Sequence, residues 1–116
     1  MQSMFGDLIL NLTLFNLRAD SRISYSINDF VITKHAFFRT VERTGSINPS
    51  EEIRKLLKNC VMISKNRSIT KVSNGRFTII CDFSSYPYRI ITFREVNQQE
   101  QKELFFNYWE NLQKNQ

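Results

Sequence analysis

His35, Arg39 and Arg43 recur every fourth residue in the stretch Thr33-Lys34-His35-Ala36-Phe37-Phe38-Arg39-Thr40-Val41-Glu42-Arg43. On a helix that spacing puts all three on one stripe. The stripe holds the one histidine of the chain and two fixed cations. Imidazole exchanges a proton near neutral pH, and guanidinium binds phosphate through paired hydrogen bonds. Metal-free cleavage of an RNA phosphodiester needs a base for the ribose 2′-hydroxyl, an acid for the leaving 5′-oxygen, and cations for the charge on the transferring phosphoryl. His35 can carry one of the proton transfers, with Arg39 and Arg43 as the phosphate clamp. Tyr88 and Thr92, read on one strand face, can orient substrate, and Lys71 or Arg76 can hold a flanking phosphate. The second proton carrier is the missing piece, with Tyr86 or Tyr88 as candidates. The plainer reading makes His35 a capping or backbone-bonding group. It makes the arginines a solvated face, Arg39 paired to Glu42 at i+3.

Charge distribution agrees with a phosphate-bearing partner. The net charge is +5, but residues 31–80 hold ten Lys/Arg against three acids, and the remainder of the chain is slightly acidic. A basic middle suits a polyanion, most simply RNA, and Lys34, Arg54, Lys55, Lys58, Lys71 and Arg76 are the cations expected to touch it. A basic surface that merely keeps the chain in solution is an equal alternative. Of the aromatic residues, Tyr86 and Tyr88 suit base stacking best. Most of the others alternate with polar positions as core residues do.

Other chemistries find little to work with. One histidine and no Cys-x-x-Cys argue against zinc. Cys60 and Cys81 sit in apolar runs, as buried thiols of a reducing compartment do. There is no glycine-rich phosphate loop and no Gly-x-Ser-x-Gly elbow, and no cofactor is expected. The apolar run 8–15 follows Asp7, is interrupted by polar residues and is too short to span a bilayer. No membrane partner and a cytoplasmic location are therefore expected.

The elements that must position these residues are readable to different degrees. The whole of 1–116 reads as a single domain. Within it, 1–29 is an N-terminal extension or a dimerisation element, 30–95 the core, and 96–116 a closing helix. Residues 4–17 fit a helical face through Phe5, Leu8, Ile9 and Leu12, and fit strand alternation through Leu8, Leu10, Leu12 and Leu14 equally well. Residues 22–33 read as extended, with Ile23, Tyr25 and Ile27 alternating against polar neighbours. Thr33 is the N-cap of a helix over about 34–44 that Gly45 stops, with Phe37, Phe38 and Val41 expected against a sheet. Asn48-Pro49-Ser50-Glu51 starts a second helix to about 59, burying Ile53, Leu56, Leu57 and Cys60. Strands follow at 61–64, 69–72, 76–83 and 88–95. Asn74-Gly75 is read as a two-residue hairpin whose central residues both take positive φ. Asn97 and Glu100 cap the last helix, whose apolar face is Leu104, Phe105, Tyr108 and Leu112 with Trp109 at its margin. The expected fold is α+β: two helices and a C-terminal helix on a three- to four-stranded antiparallel sheet.

The motif His35-Ala36-x-x-Arg39-x-x-x-Arg43 follows a strand. It leads to an Asn-capped helix with Glu51-Glu52-Ile53, a Gly-turn hairpin, and a strand with Arg89-Ile90-Ile91-Thr92. Over about residues 30–95 this layout resembles small bacterial and phage domains with a His-Ala-x-x-Arg signature, similar in turn to BrnT- and RelE-like toxins. The resemblance implies an RNA-directed, toxin-like activity of a metal-independent endoribonuclease. His35, Arg39, Arg43 and Thr92 stand at its signature positions. The chain departs from the wider group in lacking a second histidine and a clear catalytic Glu in the sheet. The alternative reading is a non-catalytic phage or mobile-element protein that blocks a host protein or nucleic-acid complex. A cognate antitoxin, a host protein or a second copy of the chain are the protein partners these readings imply.

Overall fold

The computed structural model describes residues 9–13, 15 and 22–114. The architecture is α+β with a five-stranded mixed sheet. Strands β1 (Phe30–Ile32), β2 (Val61–Asn66), β3 (Ile69–Ser73), β4 (Phe77–Asp82) and β5 (Tyr88–Glu95) lie in the order β1-β5-β4-β3-β2. Helices α1 (Lys34–Thr44) and α2 (Pro49–Lys58) connect β1 to β2, and α3 (Gln98–Lys114) follows β5. Strands β2 to β5 form the antiparallel meander. The fifth strand corrects the expected three- to four-stranded antiparallel sheet. Phe30-Val31-Ile32 was legible as extended, but it pairs in parallel with Tyr88-Arg89-Ile90, 58 residues away. Only a non-local crossover creates that pairing, and no local turn signal announces it.

The helix starts follow their capping signals. Thr33 accepts from the Ala36 amide and Gly45, at φ 67°, terminates α1. Asn48 accepts from the Glu51 amide ahead of Pro49. Asn97 and Glu100 exchange bonds reciprocally: the Asn97 amide donates to Glu100 Oε1 at 3.0 Å, and the Glu100 amide to Asn97 Oδ1 at 2.8 Å. The central core lies between the sheet and α2, where Ile53, Leu56 and Leu57 meet Val72, Phe77, Ile79, Cys81, Ile90 and Phe93. A smaller cluster on the opposite sheet face joins Val61, Ile63, Leu104 and Phe15.

Residues 9–13 and 15 are helical, which decides the strand-or-helix ambiguity for that stretch. Phe5, Leu8 and Leu14 lie outside the described residues. Residues 22–29 pack on the domain. Ile23 exchanges backbone bonds with Cys60 at 2.7 and 3.1 Å, the Tyr25 amide donates to the Leu57 carbonyl at 2.8 Å, and Ile27–Asp29 form a single 3-10 turn. The β3–β4 turn also differs from expectation. Asn74 pairs with Phe77, so the central residues are Gly75 and Arg76, and of these Gly75 alone has positive φ, 92°. Asn74 Oδ1 accepts from the amides of Arg76 and Phe77, doing with a side chain what a second left-handed residue would do with backbone.

Two expected burials fail for geometric reasons. Phe37, Phe38 and Val41 are 39, 52 and 37% exposed, while Ala36 and Thr40 are fully buried. β1 covers β5 only at Tyr88–Ile90, and α1 runs along the rest of that strand. So close an approach admits only small side chains. Thr40 is tolerated there because its hydroxyl donates to the Ala36 carbonyl at 2.8 Å. On α3, Glu100 and Leu104 are buried, whereas Phe105, Trp109 and Leu112 are exposed. A 17-residue helix is roughly 25 Å long, and the buried ones among its described side chains lie in its first two turns. The Tyr108 side chain lies outside the described ones.

Candidate functional site

The site begins with a β-bulge. On the β4–β5 pair, Ile80 faces Thr92 and Cys81 faces Ile90, so Ile91 is an extra residue on β5. Alternation resumes on the other side of it. Tyr88, Ile90 and Phe93 contribute to the α2-side core, and Thr92 and Arg94 project to the α3 side. Tyr88 and Thr92 therefore do not share a face. The one-residue insertion overturns the alternation that put them together, and Tyr88 is not part of a cluster with His35.

The bulge also supplies the seat for α1. The Thr33 hydroxyl donates to the Ile91 carbonyl at 3.1 Å and accepts from the Ala36 amide at 3.2 Å, and the Thr33 amide donates to the Ile90 carbonyl. The capping residue thus ties the helix start to the strand, and His35 sits two residues further on. Its Nε2 is 3.1 Å from Thr92 Oγ1. This contact joins α1 to β5 on the exposed rim of the sheet. Arg39 stands about one turn beyond His35, roughly 6 Å along the axis. It is half-buried and pairs with Glu42 at 3.2 Å. Arg43, a turn further, and Lys34, beside His35, are exposed.

Behind Thr92 lies a group that sequence reading missed as a site. Glu100 is fully buried and its carboxylate accepts from Arg94 Nη2 at 2.6 Å, with Lys71 Nζ at 3.8 Å. Lys71 faces Ile80 across β3–β4 and Ile80 faces Thr92 across β4–β5, so the three form one row on the α3 side. At about 4.8 Å per strand, Lys71 stands roughly 10 Å from Thr92. One carboxylate for two cations leaves the cluster net positive. Lys71 is thus held by Glu100 rather than offered freely to a flanking phosphate. The readable signal was Arg94 two residues after Thr92, with the Asn97-to-Glu100 box close behind.

The remaining cations scatter. Arg76, at the β3–β4 turn, lies over the Phe77 ring at 5.1 Å. Arg54 ion-pairs with Glu51, whose carboxyl it holds below the usual range through that hydrogen bond. Arg54 and Lys58 line a cleft beside Tyr25, and Lys55 is exposed. Tyr86 donates its hydroxyl to Asp29 at 3.0 Å, which pushes its phenol pKa up and keeps it protonated. It is engaged away from His35. Cys60 and Cys81 are buried free thiols pushed up to about 12, in each case chiefly by burial. Among the described residues no group of three His, Cys, Asp or Glu side chains could hold a metal, and no helix is long and apolar enough to cross a membrane.

The arrangement is thus an α+β domain with an imidazole–hydroxyl pair at a helix–strand junction, flanked by guanidinium groups. The chain matches no protein-family model, and neither the curated proteins nor the solved structures give a match.

Proposed function

We propose that the chain is a toxin-like, RNA-directed protein whose phosphate site is His35, Thr92, Arg39 and Arg43, acting as a metal-independent endoribonuclease. The observation that carries this reading is the 3.1 Å contact between His35 Nε2 and Thr92 Oγ1. It pairs the one imidazole of the chain with a hydroxyl 57 residues away, beside the Arg39–Arg43 stripe. In the tautomer whose Nε2–H donates to Thr92, Nδ1 is free to take the proton of a ribose 2′-hydroxyl. The 2′-oxygen then attacks the adjacent phosphorus, the bond to the 5′-oxygen breaks, and the arginines stabilise the charge gathered on the phosphoryl oxygens. The leaving oxygen takes its proton from solvent or from the imidazolium. The motif resemblance to BrnT- and RelE-like toxins points the same way.

One observation favours a second, non-catalytic reading. Phe37 and Phe38 pack edge to face at 5.8 Å on the exposed flank of α1 beside Val41. An antitoxin or an inhibited host protein would cover such a face. The test is incubation of the protein with tRNA and mRNA in EDTA, beside His35→Ala. Cleavage by the parent chain and a 10²–10⁴-fold loss in the variant is the expected result. Equal cleavage by both removes His35 from the mechanism, and no cleavage by either leaves the binding reading.

A further inference from the structure

On the α2 side of the sheet, away from His35, two open clefts of about 590 and 390 Å³ meet at one residue, Tyr25. Both volumes fall in the range of small-molecule sites. The larger is lined by Ser24, Ser26, Asn28, Arg54 and Lys58 beside Tyr25; the smaller by Lys65, Thr70, Phe83 and Tyr88. Tyr25 is firmly set. Its amide is bonded to the Leu57 carbonyl, and its ring packs against Phe30 at 5.9 Å and Phe83 at 5.7 Å. Phe83 contacts Tyr88 at 4.8 Å, and Tyr88 contacts Tyr86 at 5.4 Å. A continuous aromatic surface therefore runs between the clefts and out to the exposed Tyr86. The cations are placed to match. Lys58 stands at one cleft and Lys65 at the other, and neither forms an ion pair among the described residues. Arg54 is already neutralised by Glu51.

Aromatic walls with an ammonium at each end suit a ligand that alternates flat rings with anionic links. We infer that the paired clefts around Tyr25 hold a single-stranded RNA segment of at least two nucleotides. Bases stack on the Tyr25–Phe83–Tyr88 surface, and backbone phosphates lie at Lys58 and Lys65. The choice of RNA rests on the proposed function; the groove itself is separate from the His35 site and has its own test. Ser24, Ser26 and Asn28 supply polar groups for base edges in the larger cleft.

The test is binding of a fluorescent 2′-O-methyl RNA hexamer across a salt series. That probe has ring faces and phosphates but no 2′-hydroxyl for His35 to deprotonate. Tyr25→Leu should bind about 5- to 150-fold more weakly, whereas Tyr25→Phe should keep the affinity. Lys58→Gln with Lys65→Gln should flatten the log–log salt slope by about 1.4, two phosphate contacts on a single strand. Both lysines are exposed, so the slope measurement stands even if Tyr25→Leu unfolds. No binding by the parent chain, or binding indifferent to all these changes, overturns the groove. Cleavage of natural RNA without hexamer binding would remove the groove and keep the ribonuclease; hexamer binding without cleavage would do the reverse.

Discussion

Glu100→Gln is the substitution that most directly tests how the sheet and α3 are joined. Gln keeps the shape and one carbonyl oxygen for the Asn97 amide, but removes the negative charge. Arg94 then loses a charge-assisted bond of 2.6 Å, an interaction of about 1.5–3 kcal/mol. Lys71, at 3.8 Å, loses a looser contact of about 0–1 kcal/mol. Orphaning a fully buried ion costs about 3–5 kcal/mol. That full penalty does not apply, because the side chains of Arg94 and Lys71 are 33 and 26% exposed and can turn to water. The expected loss is about 2–4 kcal/mol, which for a chain of this size lowers the midpoint by about 8–16 °C. Thermal and urea unfolding followed by far-UV circular dichroism measures it. A double-mutant cycle with Arg94→Met isolates the pair, with coupling of at least about 1.5 kcal/mol expected. A Glu100→Gln variant within about 0.5 kcal/mol of the parent chain, with no coupling to Arg94, would refute the claim that this carboxylate anchors α3.

Three further outcomes are checkable. Gly45 and Gly75 both have positive φ, but a Cβ at Gly45 meets nothing within 4 Å, whereas one at Gly75 lies 2.9 Å from both the Asn11 carbonyl oxygen and Phe15 Cβ. Gly45→Ala should therefore cost about 1–2 kcal/mol, and Gly75→Ala about 1–3 kcal/mol more, read from urea midpoints. Cys60 and Cys81 should resist a thiol reagent in the folded protein and react on unfolding. Because burial raises both thiols from the ordinary 9.0 to about 12, the unfolded chain releases their protons first. Stability should then fall between pH 9 and 12, by up to about 1.4 kcal/mol per pH unit for each thiol, and Cys60→Ala with Cys81→Ala should flatten that slope. His35→Ala removes an exposed bond worth about 0.5–1.5 kcal/mol, so its midpoint should drop by only a few degrees. A larger fall would mean that the histidine is chiefly structural.

The parts legible in the sequence are those governed by contacts within four residues. Thr33, Asn48 and Asn97 were readable as caps because each cap is a side chain meeting an amide three residues on. Within the expected extended segment 22–33, the alternation of Ile23, Tyr25 and Ile27 was readable because one side of it faces the core, but Ile27–Asp29 coil into a 3-10 turn instead of extending. What escaped reading depends on distant partners. Nothing local to 30–32 says that β1 pairs with β5, and the β2–β3 turn has neither Gly nor Pro, its Arg67 taking φ 58°. Phe37 and Phe38 follow the apolar pattern of a buried face, yet the strand beside α1 admits only Ala36 and Thr40. For the candidate site, the His35–Arg39–Arg43 stripe was visible and Thr92 was named from its strand face and by resemblance, but its contact with His35 was not foreseen. Arg94 and Glu100 were visible as a strand residue and a cap, and Tyr25 as core.

The bulge at Ile91 explains the part of this gap that concerns the two faces of β5. Without it, Tyr88, Ile90, Thr92 and Arg94 would share one sheet face, and the aromatic surface would adjoin His35. The extra residue turns Tyr88 toward Tyr25 and Phe83 on the α2 side and Thr92 toward His35 and the Glu100 cluster on the other. The same residue offers its carbonyl to Thr33 and so fixes where α1 begins. One inserted residue thus does two things that alternation cannot encode: it divides β5 between two surfaces of different chemistry, and it brings the histidine to its hydroxyl. An RNA that used both surfaces would have to pass around the β1 edge or beyond the end of β5, because the sheet itself separates them. On the proposed function, stacking in the Tyr25 clefts would act on affinity, and the identity of the scissile bond would be left to the rim where α1 meets β5.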